Sequence, residues 1–227
     1  MRTYIKWLPI IGLVFDSCWL YLGPLLNLQN TTQGAFISEL SATGQPYALL
    51  FRCMDIAAGL MWVIAASYLL RDKLSLIGRL LGMVLLTIGS GDIIDALLPL
   101  NCSETLSAVC RHQNNTSLID NIHLYESCAV VVMFSITAIT LLIALHFSKM
   151  RNYLYIITVI MLACMLIWLI DTLMRQQAQT EGYGYVQRLY GCAFIVWLTA
   201  LWYQTVTQPR SLRRIVIKRP RFYRRPA

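Results

Sequence analysis

The chain has 227 residues, of which 57% are hydrophobic and only 13% charged. A soluble domain of that length carries roughly 25% charged residues, so the composition excludes an ordinary water-soluble enzyme and points to a bilayer. The formal net charge of +8 is no nucleic-acid signature either, because eight basic residues and no acid stand from Arg210 onward, while the rest balances 11 basic against 11 acidic residues.

A span takes about 20 apolar residues, so the length allows roughly six with short connections. The expected fold is therefore all-α: a polytopic membrane helix bundle over residues 1–207, with a basic tail over 208–227.

Residues 4–24 form the first apolar segment. It starts after Arg2, carries Lys6, holds Asp16 near its centre and ends at Gly23-Pro24. No small-residue cleavage site follows, so it reads as an uncleaved span. Residues 25–46 are a polar connection with Ser38-Glu39-Leu40 and Gly44-Gln45-Pro46. The second span covers 47–70 and carries Arg52 and Asp55 near its start. Three-residue spacing puts both on one helical face.

A short turn follows with Arg71, Asp72 and Lys73. The third span runs over 77–100 with Asp92 and Asp95, again three apart. The small residues Gly89, Ser90 and Gly91 precede them, and suit either a close helix approach or a thin pocket wall. The polar loop 101–122 holds Cys102 and Cys110. His123 and Glu126 open the fourth span, 123–148, which Lys149 and Arg151 close. The fifth, 153–174, has Asp171 near its end and Arg175 four residues on; the sixth, 185–206, has Arg188 near its start.

Lysine and arginine collect in the N-terminus, the 71–76 and 149–152 turns and the tail. The positive-inside bias makes that side cytoplasmic, and an even span count puts both termini there. The connections 25–46, 101–122 and 175–184 are then on the outer side. A short loop in an oxidising compartment permits a Cys102–Cys110 disulfide. Asn30, Asn101, Asn114 and Asn115 fit the Asn-x-Ser/Thr pattern in the same loops. The other cysteines lie in apolar segments, and no Cys/His metal spacing occurs.

At about 1.5 Å of rise per residue, Arg52, Asp55, Asp92, Asp95, His123, Glu126, Asp171 and Arg188 all fall in the outer third of their spans. A charge buried at mid-span costs on the order of 2.5–3.5 kcal/mol on insertion scales, so the cluster needs compensation. Ion pairs that fix helix packing would supply it. So would a polar pocket for a lipid headgroup or small solute, lined by Asp92, Asp95, His123 and Glu126 with Arg52 and Arg188 holding anionic groups. His123 and the carboxylates also suit acid/base work or a proton relay, but no motif surrounds a nucleophile and no metal or other cofactor is expected.

Ser38-Glu39-Leu40 and Gly44-Gln45-Pro46 before the second span, Leu98-Pro99 at the end of the third, and a histidine opening the fourth resemble the six-span bacterial membrane family catalogued as domain of unknown function nine-nine-eight. The likeness runs from the first span to the sixth and leaves out the tail. It implies the topology, a bacterial inner membrane location and importance for Ser38, Glu39 and His123; it implies no activity.

The function expected is binding or translocation of a lipid headgroup or small polar solute at an outer-side pocket. An intramembrane lipid hydrolase or transferase and a scaffold subunit are the alternatives. Membrane lipids are the expected partners, anionic ones at the basic tail, with no nucleic acid.

Overall fold

The structure, a computed structural model, describes residues 7–28, 35–71, 76–103, 105, 107, 109–110, 118–146, 152–178 and 184–207. The side chains of some helical positions, His123, Glu126 and Arg175 among them, lie outside that description, as does the basic tail from 208 onward.

The described residues form α1 (Leu8–Asp16), α2 (Cys18–Leu25), a single 3-10 turn (Ile37–Leu40), α3 (Ala48–Arg71), α4 (Leu76–Leu97), α5 (Leu118–His146), α6 (Asn152–Ala178) and α7 (Gly184–Thr207). Leu8–Leu25, Ala48–Arg71, Gly78–Leu97 and Tyr153–Asp171 are long and apolar enough to cross a bilayer, and Ser127–Ile143 is a shorter apolar stretch inside α5. The chain is a multi-pass α-helical membrane protein. The end of the bundle holding the starts of α3 and α7 is called the outer end below, after the charge-based orientation.

Neighbours in sequence pack side by side. α3 lies against α1 and, over the longest interface, against α4; α4 meets α5, α5 meets α6 and α6 meets α7. α7 also touches α4 and α1, which closes the arrangement. An aromatic cluster fills the centre. Phe134 of α5 meets Phe194 of α7 edge to face with centroids 4.9 Å apart, and Phe194 in turn meets Trp62 of α3 at 6.5 Å. Edge-to-face pairs set the ring edge's positive charge against the partner's negative face.

Glycine sets the closest approach. A Cβ on Gly59 would stand 2.5 Å from the Gly89 carbonyl oxygen, and one on Gly89 would stand 2.7 Å from that of Gly59. Of the two readings of the 89–91 stretch, Gly89 meets the first: it lets α3 and α4 touch backbone to backbone. Against α1, a Cβ on Gly12 would fall inside the Trp62 indole, whose Nε1 donates to the Pro9 carbonyl at 3.2 Å.

The first apolar segment is two helices and not one. The chain breaks at Ser17, whose hydroxyl donates to the Leu13 carbonyl at 2.7 Å. Such back-bonding bends helices. The Tyr21 hydroxyl donates to the Val14 carbonyl at 2.8 Å, so this acceptor beside the break keeps a partner, as backbone groups in lipid must. At the end of the third segment, α4 stops at Leu97, short of the expected 100, because Pro99 cannot continue it. α5 begins at Leu118, ahead of the expected 123.

Buried hydroxyls hold α6 to α7. The Trp197 indole N–H donates to Thr158 Oγ1 at 3.1 Å, with both residues fully buried. Thr158→Val should leave that N–H without an acceptor and lower stability by about 1–3 kcal/mol, while Thr158→Ser should spare most of it. Thermal unfolding of the two purified variants in detergent distinguishes these outcomes.

Candidate functional site

The polar residues of the outer half fall into two layers. The upper layer is a cap built on the connection 35–47. Its shape comes from local chemistry: Gly44 takes φ +81°, a value that favours glycine, and the Tyr47 carbonyl accepts from the Leu50 and Phe51 amides at 2.9 and 3.2 Å to start α3. The Ser38 carbonyl accepts from the Ser41 amide at 3.2 Å and the Ser41 hydroxyl at 2.9 Å, closing the 3-10 turn.

Glu39 lies at the middle of the cap and is 0% exposed. Its Oε2 accepts from the Ser103 hydroxyl and from the Thr105 amide at 3.0 Å. Its Oε1 accepts from the Thr105 hydroxyl at 3.0 Å and the Phe36 amide at 3.3 Å. A buried carboxylate is tolerated when its lone pairs are filled this way. The Arg188 guanidinium is close enough to interact electrostatically with Glu39, and its Nη2 donates to the Ala35 carbonyl at 3.0 Å.

Other bonds join the cap to each neighbouring helix. The Ile37 amide donates to Gln187 Oε1 of α7 at 2.9 Å. Arg52 of α3 donates from Nε to the Ser41 carbonyl at 2.8 Å and from Nη2 to Thr43 Oγ1 at 3.3 Å. The Thr43 amide donates to the Leu100 carbonyl, just past α4, at 2.8 Å. Beside these, Cys102 and Cys110 are bonded as a disulfide with Cα atoms 5.9 Å apart.

The lower layer is acidic. Asp16 at the end of α1, Asp55 of α3 and Asp95 of α4 come from three helices, and Asp55 lies within electrostatic reach of both others. Cys18, at the start of α2, borders Asp16 and Asp55. Among the described residues no three of His, Cys, Asp and Glu stand at the spacing of a shared metal ion.

The sequence profile of the family described as "Protein of unknown function (DUF998)" matches residues 10–203. That is most of the chain, from within α1 to the end region of α7. The chain belongs to this family. No curated protein and no solved structure matches it, so the DUF998 assignment brings no chemistry, and roles rest on the geometry above.

For this DUF998 chain the expected site residues divide as follows. Ser38, Glu39, Arg52 and Arg188 meet in the cap, where their bonds run to protein groups. Asp55 and Asp95 meet in the acidic layer, joined by Asp16. Asp92 and Asp171 are half-buried on α4 and α6. His123 and Glu126 lie on α5, with side chains outside the described residues. Arg52 and Asp55 share a helix face in sequence, yet the Arg52 bonds described above run up to the cap, away from the membrane interior. The sequence reading passed over Gln187, Ser103 and Thr105. Their signal is weak: a lone amide at a helix start, and two hydroxyls beside a cysteine.

Proposed function

We propose that this protein binds, and in doing so helps translocate, a small solute or lipid headgroup that carries a cationic nitrogen, seated among Asp16, Asp55 and Asp95. One observation carries the reading: carboxylates from three separate helices of a membrane bundle come together, with Asp55 within electrostatic reach of Asp16 and Asp95. Intramembrane acids are costly and are retained where they pair or handle charge. An ammonium group suits carboxylates that arrive from several helices, because it can donate to more than one of them. The basic groups first expected to hold an anion, Arg52 and Arg188, spend hydrogen bonds on cap carbonyls, which favours a cationic over an anionic ligand.

In this reading the membrane is a bacterial inner membrane, the cap faces outward, and the basic tail lies on anionic lipid at the cytoplasmic face. The hydrolase or transferase alternative rests on His123 and the carboxylates, and the His123 side chain lies outside the described residues.

The test uses the full chain in nanodiscs and choline as the probe. Choline should raise the unfolding temperature saturably in the parent protein. Asp55→Asn should abolish that shift while the variant elutes as the parent does on size exclusion. Equal shifts in parent and variant, or no shift with choline, ethanolamine or tetramethylammonium, would reject the site.

A further inference from the structure

We infer that the Cys102–Cys110 disulfide is a redox-controlled clasp that acts through Glu39 to tie the outer ends of α3, α4 and α7 together. The inference does not depend on the ligand proposed above.

Three observations carry it. First, Ser103 and Thr105 lie between the two bonded cysteines, and they supply three of the hydrogen bonds on the Glu39 carboxylate. Second, the core of the clasp is buried: Glu39 is 0% exposed, Ser103 2% and Cys110 2%, while Cys102 and Thr105 are half-buried. Third, the residues around Glu39 bond to each neighbouring helix. Ile37 reaches Gln187 and Ala35 accepts from Arg188 on α7; Ser41 accepts from Arg52 on α3; Thr43 bonds to Leu100 beyond α4.

The coupling is entropic. While the sulfurs are joined, the backbone that presents Ser103 and Thr105 has few alternative paths, so their grip on Glu39 costs little further ordering. Opening the bond restores the lost freedom of that loop, and the same hydrogen bonds must then order it alone. Glu39 differs from an exposed acid here: once released, an unfilled buried carboxylate is driven toward water, which pulls the 3-10 turn away from α7. The chemistry balances with a dithiol as reductant. It gives up two electrons and two protons, leaves as a cyclic disulfide, and the sulfur–sulfur bond becomes two cysteine thiols.

Hydrogen–deuterium exchange of the full chain in nanodiscs, with and without dithiothreitol, tests this. Reduction should speed exchange in peptides covering 36–43 at least tenfold, since the Ile37 and Thr43 amides lose their acceptors. Peptides from the middle of α3, covering 56–70, should be unchanged. Glu39→Gln in the oxidised protein should reproduce the pattern, and reduction of that variant should add less than twofold. Two results would overturn the inference: exchange in 36–43 that ignores reduction, or exchange that rises equally in α3, which would make the disulfide a general stabiliser. Additive effects of reduction and Glu39→Gln would also overturn it, because independent contributions add.

Discussion

Gly59→Ala is expected to destabilise the bundle by about 1–3 kcal/mol, and Gly59→Leu to stop the protein accumulating in the membrane. Two terms of opposite sign compete. Alanine is a better helix former than glycine by about 1 kcal/mol, which alone would stabilise. Against that, the new Cβ would stand 2.5 Å from the Gly89 carbonyl oxygen and 2.8 Å from Ile93 Cγ1. A backbone oxygen cannot rotate away, so α3 and α4 must separate, and the loss extends along their whole interface. Gly82 is the control. Its Cβ would stand 3.0 Å from Leu70 Cγ and 3.2 Å from Leu69 Cβ, contacts that a shift of a few tenths of an ångström relieves. Gly82→Ala should therefore fall near neutral. Thermal unfolding in detergent ranks the two; Gly59→Ala as stable as Gly82→Ala would mean that the helices do not touch where the structure brings them together.

Glu39→Ala should cost about 3 kcal/mol, because it strips a charged acceptor from the buried Ser103 hydroxyl and from the half-buried Thr105 and Phe36. Glu39→Gln should cost less. It keeps the volume and one acceptor, but sets an amide N–H₂ against donors on the other side. The loss should concentrate at the outer end. Limited proteolysis applied from the outside should cut Glu39→Ala between α2 and α3 under conditions that leave the parent intact. A variant as resistant as the parent would show that the cap holds together without its carboxylate.

The sequence made the helices legible and hid what joins them. Apolar runs of span length depend only on local composition, so the helices and their order along the chain could be read directly; of the six spans expected, four described helices are long and apolar enough to cross a bilayer, with a shorter apolar stretch in α5. Pro99 marks a helix end by its missing N–H and ring, and Cys102 with Cys110 lie close enough in the chain to suggest each other. Glu39 and Ser103 are 64 residues apart, and nothing in either neighbourhood names the other. The same holds for Gly59 with Gly89 and for Asp16 with Asp55. Depth could be estimated by counting residues, and it put most of the acids in the outer third of their spans and Asp16 near the middle of its own, but rotation about each helix axis could not. Rotation decides which acids meet. The break at Ser17 was hidden for another reason: a serine in an apolar run is usual in membrane helices, and only its backbone, at φ -80° and ψ 11°, reveals that the helix has ended.

The bond from Trp62 to the Pro9 carbonyl has a consequence for biogenesis. The two residues are 53 positions apart, so at ribosomal speeds of about 5–20 residues per second the tryptophan is made about 3–10 s after its acceptor. Throughout that wait the leading hairpin half must reside in the lipid, or at the translocon's lateral gate, with no protein neighbour to cover Gly12. The notch that later admits the indole is then an open groove on a newborn segment. Its closure can begin only when the second long helix has been threaded.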